Sequence, residues 1–128
     1  GRTALHHAAI RNHVSITQSL ISVPKIHLNI PDNRNWTPIT YSAALGHTTL
    51  FSTLLAAFPP SQITTILNTK DNQGRTTLSW AAGQGNSDVV KLLLAIPGID
   101  VNATDGDNWT PLTYAVAHGH TETVKALL

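Results

Sequence analysis

The sequence predicts an all-α solenoid of stacked helix-turn-helix units joined by short hairpin loops. Three observations predict it. A seven-residue word recurs four times in register: TALHHAA from Thr3, TPITYSA from Thr37, TTLSWAA from Thr76 and TPLTYAV from Thr110. After each word comes a residue that tolerates positive φ, namely Asn12, Gly46, Gly85 and Gly119, as a helix C-terminus requires. An apolar helical stretch then closes on Leu20-Ile21, Leu54-Leu55, Leu93-Leu94 or Leu127-Leu128. The words are 34, 39 and 34 residues apart, a period typical of stacked supersecondary units.

Each element follows from its residues. Thr-Pro at 37–38 and 110–111 reads as an N-cap followed by a proline at the first helical position. Leu5, Ile39, Leu78 and Leu112 fill one recurring core position, and Ala8, Ala43 and Ala82 let helices approach closely. Polar His13, His47, Asn86 and His120 follow the helix stops. Thr48, Ser87 and Thr121 are read as caps of the second helices, with Val14 in the cap's place in the first unit. Asp88 and Glu122 then fall in a first turn, where the helix dipole favours them. Each later unit is preceded by an apolar-Asn pair, Leu28-Asn29, Leu67-Asn68 or Val101-Asn102, and three residues on by Asp32, Asp71 or Asp105. The second unit carries about five extra residues, within 58–67, where Ser61 is read as the cap of a short additional helix. Thr123 stands where a core valine or leucine is expected.

These words resemble the ankyrin repeat, whose pattern is a turn, a T-P-L-H-x-A-A helix, G-H, a second helix ending in L-L, and D-V-N before a hairpin. The resemblance covers the whole chain as one domain, 1–128. Its repeats fall at about 1–34, 35–73 with the insertion 58–67, 74–107, and a truncated 108–128. It implies an all-α ankyrin solenoid in which a lone repeat cannot bury its apolar face and stacking supplies stability. The chain begins inside a motif and ends inside a helical pattern, so it is read as a piece of a longer protein, flanked by further repeats or domains. The histidine of the T-P-L-H word survives only as His6; Thr40, Ser79 and Thr113 replace it elsewhere.

Composition bounds the function. The chain has 128 residues, is 41% hydrophobic, and carries a net charge of +1. That balance gives no electrostatic footprint for nucleic acid. The longest apolar runs, such as Leu92–Ile96, fall far short of the roughly 18 residues of a spanning helix, so no membrane insertion is expected. Cysteine is absent, which excludes thiolate zinc sites and favours a cytoplasmic, intracellular setting.

The repeat also discriminates among chemical motifs, because a residue recurring at one repeat position reads as structural. Asp32, Asp71 and Asp105 form such a set; they resemble the hairpin aspartates of ankyrin arrays, which implies that they tie neighbouring hairpins by accepting backbone N–H groups. Ser79 aligns with Thr40 and Thr113 and is no candidate nucleophile. His118-x-His120 has no further metal ligand at a fitting spacing. Gly83-Gln-Gly85 reads as a helix stop, since it lies between helices rather than after a strand. Asp105-Gly-Asp107-Asn108 opens like a calcium loop but has Val116 where the loop needs a glutamate. The sequons at Asn35, Asn102 and Asn108 are read as coincidence, since no signal peptide precedes them.

What remains is the surface. In ankyrin arrays partners usually lie along the concave face formed by hairpin tips and first helices. Carried onto this sequence, the resemblance places Arg34, Trp36, Tyr41, Arg75, Trp80, Asp107, Trp109 and Tyr114 there as partner-binding residues, with Arg11, Leu45, Gln84 and His118 a turn further on. All three tryptophans and both tyrosines fall in this set, as do all four arginines once Arg2 is counted with it, and all four lysines fall outside it. Trp, Tyr and Arg most often dominate interface energies. The expected function is therefore a non-catalytic module that binds a protein partner, with no cofactor and no metal. The alternatives are a passive spacer, which an aromatic stripe buried between repeats would favour, and a module for a small ligand or metal.

Overall fold

The structure, a computed structural model, describes all 128 residues as nine α-helices without a strand. They are α1 (Ala4–Ile10), α2 (Val14–Ile21), α3 (Pro38–Ala44), α4 (Thr48–Ala57), α5 (Pro60–Asn68), α6 (Thr77–Gly83), α7 (Ser87–Leu94), α8 (Pro111–Ala117) and α9 (Thr121–Leu127). They stack as four layers. First helices α1, α3, α6 and α8 pack in one row, and second helices α2, α4, α7 and α9 in another. The core lies between the rows. Leu50, Phe51, Leu54, Val89, Val90 and Leu93 are completely enclosed there, and Ala9, Ala43, Ala81, Ala82 and Ala115 line the close helix approaches.

The first helices start as their words predict. Thr110 and Thr113 form a reciprocal capping box: the Thr113 N–H donates to Thr110 Oγ1 at 3.2 Å, and the Thr110 N–H to Thr113 Oγ1 at 3.3 Å. In the first layer His6 takes the partner's role, its Nδ1 accepting the Thr3 N–H at 3.1 Å. The other ring nitrogen therefore carries the proton and donates to the Trp36 carbonyl of the next layer at 3.0 Å. Thr40, Ser79 and Thr113 pair with the hydroxyl of their own N-cap threonine instead.

The second helices begin differently from the expectation. Thr48, Ser87 and Thr121 are their first helical residues, as is Val14 in the first layer. The N-cap positions belong to His13, His47, Asn86 and His120, none of which caps its own helix with its side chain. Three of them reach back one layer. His47 Nε2 donates to the Ile10 carbonyl at 3.3 Å, Asn86 Nδ2 to Ala43 and Ala44 at 2.9 and 2.8 Å, and His120 Nε2 to Gly83 at 3.0 Å. The acceptors lie among the last carbonyls of the first helices, where intrahelical partners run out, so each bond fastens two layers.

The extra helix forms, but Ser61 does not cap it. Pro59 is the N-cap and Pro60 the first helical residue, whose fixed φ suits that position. Helix α5 is fastened to the following layer. Thr64 Oγ1 donates to the Pro97 carbonyl at 2.8 Å and Asn68 Nδ2 to Gly98 at 2.9 Å, while Asn68 Oδ1 accepts the Asp100 N–H at 2.9 Å.

Thr123 is buried, and so is Thr17, where later repeats carry Phe51, Val90 and Val124; both hydroxyls lack a hydrogen-bond partner. Thr17→Val and Thr123→Val are isosteric and remove that unmet polar group. Each is expected to raise stability by about 1 kcal/mol, measured as a higher urea midpoint with an unchanged m-value.

Candidate partner-binding site

The face formed by the hairpin tips and the first-helix row is organised around three aspartates. One oxygen of each closes its own loop. Asp32 Oδ1 accepts the N–H groups of Arg34 and Trp36 at 2.9 and 3.0 Å, Asp71 Oδ1 those of Gln73 and Arg75 at 2.9 and 3.0 Å, and Asp105 Oδ1 those of Asp107 and Trp109 at 2.9 and 3.0 Å. The backbone N–H groups thus come from the same hairpin, not from its neighbour as expected.

The second oxygen joins layers. It accepts from an aromatic residue nine positions on and faces a donor from the preceding layer. Asp32 Oδ2 takes the Tyr41 hydroxyl at 2.5 Å with Arg2 Nε at 3.7 Å. Asp71 Oδ2 takes two indoles, Trp36 Nε1 at 2.8 Å and Trp80 Nε1 at 2.7 Å. Asp105 Oδ2 takes the Tyr114 hydroxyl, with Arg75 Nε at 3.7 Å. The cross-layer donor is always the residue before the word's threonine: Arg2, Trp36, Arg75. The sequence shows this alternation, and its meaning appears only once each donor is seen beside the next layer's aspartate. Hairpin tips add backbone links, the Asn72 N–H donating to the Arg34 carbonyl at 3.2 Å and Asn35 Nδ2 to Lys70 at 2.9 Å.

Rings and guanidiniums interleave along this ladder. Trp36 lies 4.7 Å from Tyr41 and 4.6 Å from Trp80, centroid to centroid. Arg34 covers the Trp36 ring at 4.6 Å, and Arg75 lies 4.5 Å from both Trp80 and Tyr114. Such contacts are electrostatically favourable.

The electrostatics set a pH window. Burial pushes the Asp32 carboxyl up, but the Tyr41 hydroxyl and the Trp36 and Arg34 amides together outweigh it and hold the group below the usual carboxylate range. Asp105 is held down in the same way, by Tyr114, two amides and Arg75 against burial. Burial and the bond to Asp105 push the Tyr114 hydroxyl up to about 12, and burial with the Asp32 bond raises Tyr41. A carboxylate held down contributes stability above its unfolded pKa of about 4, lost as pH falls through the folded value. A raised tyrosine contributes stability below about pH 10, lost as pH rises towards about 12. Melting temperature is therefore expected to form a plateau between these limits and to fall on both sides. Asp105→Asn shrinks the acid limb and Tyr114→Phe the alkaline one, measured by thermal melts across pH.

The predicted binding residues divide by exposure. Trp36, Tyr41 and Tyr114 are only 6%, 5% and 6% exposed and serve the ladder. Arg75 and Trp80 are half-buried, whereas Arg34, Asp107 and Trp109 are exposed. Leu45 is 48% exposed although layers flank it on both sides. A cavity of about 290 Å³ opens beside it, lined among others by Arg2, Ile10, Arg34, Leu45, Trp80 and Gln84. A larger hollow of about 400 Å³ lies away from this face, between residues 26–30 and helix α5.

The other motifs resolve locally. Asn12, Gly46, Gly85 and Gly119 all adopt positive φ. His118 and His120 stack at 6.1 Å, but each has a ring nitrogen on a backbone carbonyl, of Tyr114 and Gly83 respectively. No group of three or more His, Asp or Glu side chains is placed to hold a metal ion. No helix is long and apolar enough to cross a membrane.

Comparison with known proteins agrees with this architecture. A family model described as ankyrin repeats (3 copies) matches residues 1–65 and 60–128. The SMC5-SMC6 complex localization factor protein 1 of Homo sapiens is 35% identical over 94 residues, which are 73% of this chain and 8% of that protein. Inversin of Danio rerio is 35% identical over 104 residues, 81% of this chain and 10% of that protein. The chain thus spans about a tenth or less of the length of these relatives. Among solved structures, a chain in the crystal structure of the yeast ribosomal protein Rps3 in complex with its chaperone Yar1 superposes with a TM-score of 0.85 at 21% identity. The match covers 94% of this chain and 86% of that one. The repeated words, the two helix rows and the matched family model together place the chain in the ankyrin-repeat family.

Proposed function

We propose that this chain is a non-catalytic recognition segment that binds a protein partner on its hairpin and first-helix face, the concave face of the family, as part of a larger protein. Ankyrin repeats are protein–protein interaction modules, and that supports the general reading. The observation that carries the specific one is Leu45: an apolar side chain left half open in the second layer, beside a cavity edged by Trp80 and Arg34. Its exposure does not arise from a chain end. The proposed contact residues are Arg34, Leu45, Trp80, Asp107 and Trp109, with Trp36, Tyr41, Arg75 and Tyr114 as their support. An intracellular setting goes with this reading, since relatives are named for the SMC5-SMC6 complex and the 26S proteasome.

The passive-spacer reading has its own observation, the burial of Trp36, Tyr41 and Tyr114 between layers. Affinity capture separates the two. Substituting Trp36 would break the bond to Asp71, so exposed positions make the cleaner test. The baits are the chain itself, Leu45→Glu, and a second-helix control, Ser52→Glu, all with matched helical circular dichroism. Binding on this face predicts a protein retained by the first and third baits and lost by Leu45→Glu. Identical captures from all three would support the spacer.

A further inference from the structure

The cavity beside Leu45 has a chemical character that narrows its occupant. Ile10, Leu45 and the Trp80 ring supply apolar wall, and Gln84 is neutral. No carboxylate side chain lines it, while two arginines, Arg2 and Arg34, stand at it. Their charges are not equally available. Arg2 donates to the Tyr41 hydroxyl at 3.0 Å and lies 3.7 Å from Asp32. Arg34 makes no ion pair: the chain's ion pairs are Arg2–Asp32, Arg75–Asp105 and Lys125–Glu122. It is exposed and held over the Trp36 ring at 4.6 Å. A stacked guanidinium keeps its in-plane N–H donors for a carboxylate. The hairpin aspartates do not serve it: none of them forms an ion pair with Arg34, and their oxygens are engaged within the ladder. The cavity lining therefore carries one uncompensated positive charge, that of Arg34, next to a small apolar hole.

We propose that this site takes a linear segment of a protein partner in which an apolar side chain fills the cavity and an adjacent Asp or Glu pairs with Arg34. This rests on the reading of the face as the binding face and adds the chemistry of what it binds. At about 290 Å³ the cavity is small for an organic ligand and suits one apolar side chain. A net charge of +1, with Arg11 and Arg34 the guanidiniums outside an ion pair, does not make the basic stripe that a phosphate polymer requires. An acidic protein segment fits both the volume and the charge.

The test pans a phage-displayed library of random linear peptides against the chain. The tightest peptide is then titrated by fluorescence anisotropy into the chain and into Arg34→Glu, Leu45→Glu and the second-helix control Lys91→Glu. Enriched peptides are expected to place Asp or Glu within a residue or two of Leu, Ile, Met or Phe. Arg34→Glu should weaken the best of them by about tenfold or more, added salt should weaken it too, and Lys91→Glu should leave it unchanged. Panning Arg34→Glu itself should shift enrichment to Lys and Arg. Peptides without a carboxylate that Leu45→Glu still abolishes would overturn the acidic specificity and leave the binding face standing. Peptides indifferent to both Arg34→Glu and Leu45→Glu would overturn both readings. Failure of any peptide to enrich would overturn the acidic-segment proposal, with the face still judged by the capture experiment.

Discussion

Asp71→Ala is expected to destabilise the chain by about 3 kcal/mol, since hydrogen bonds to a charged group contribute about 1.5–3 kcal/mol each and solvent reaches part of this one. The carboxylate accepts four N–H groups, two from its own hairpin and two from indoles of successive layers. Its removal leaves Trp36, in the core, with an indole N–H that has no acceptor. The melting temperature should fall by roughly 10 °C, and tryptophan emission should shift to the red as the Trp36–Trp80 contact loosens. Asp71→Asn keeps one acceptor oxygen and should cost less. Asp107→Ala, at an exposed carboxylate without an ion pair, should stay within about 0.5 kcal/mol of the parent. Equal melts for Asp71→Ala and Asp107→Ala would remove the aspartate from its place in the ladder.

Gly85→Ala and Gly119→Ala separate two costs that share one backbone conformation. Both glycines end a first helix at positive φ, +74° and +72°. A Cβ at Gly119 meets nothing within 4 Å, whereas one at Gly85 would lie 2.5 Å from His120 Nδ1. Gly119→Ala therefore carries only the left-handed backbone cost, about 1–2 kcal/mol. Gly85→Ala adds displacement of the His120 ring from the Gly83 carbonyl, a further loss of about 1 kcal/mol or more. Chemical denaturation of the two variants measures the gap directly, and equal losses would mean that His120 does not fasten the layers.

Much of the fold was legible because it repeats. Four copies of one word fixed the two helix rows, the helix stops and the extra turn of chain after Phe58. Helix starts in the second row were misread for a physical reason. Thr48, Ser87 and Thr121 have cap-like side chains, but the preceding His or Asn occupies the cap position and turns its side chain towards another layer. That choice depends on a carbonyl more than thirty residues away, which no local pattern contains. Asp32, Asp71 and Asp105 were legible as hairpin aspartates, yet the assignment of their second oxygens was not. It took the stacking to place Trp36 on Asp71 rather than on the aspartate of its own hairpin. The same limit holds at the candidate site. Arg34, Trp36 and Tyr41 look alike as interface residues in the sequence, and only packing separates the exposed guanidinium from the two buried rings.

The most direct measurement of the central claim is site-specific photocrosslinking. A photoreactive amino acid is placed at Leu45, on the hairpin and first-helix face, and in a second preparation at Lys91, on the exposed side of α7. Both are irradiated with the captured partner. Binding through the first-helix face predicts a covalent adduct from position 45 and none from position 91. An adduct from position 91 with none from position 45 would place the partner on the second-helix row and contradict the account.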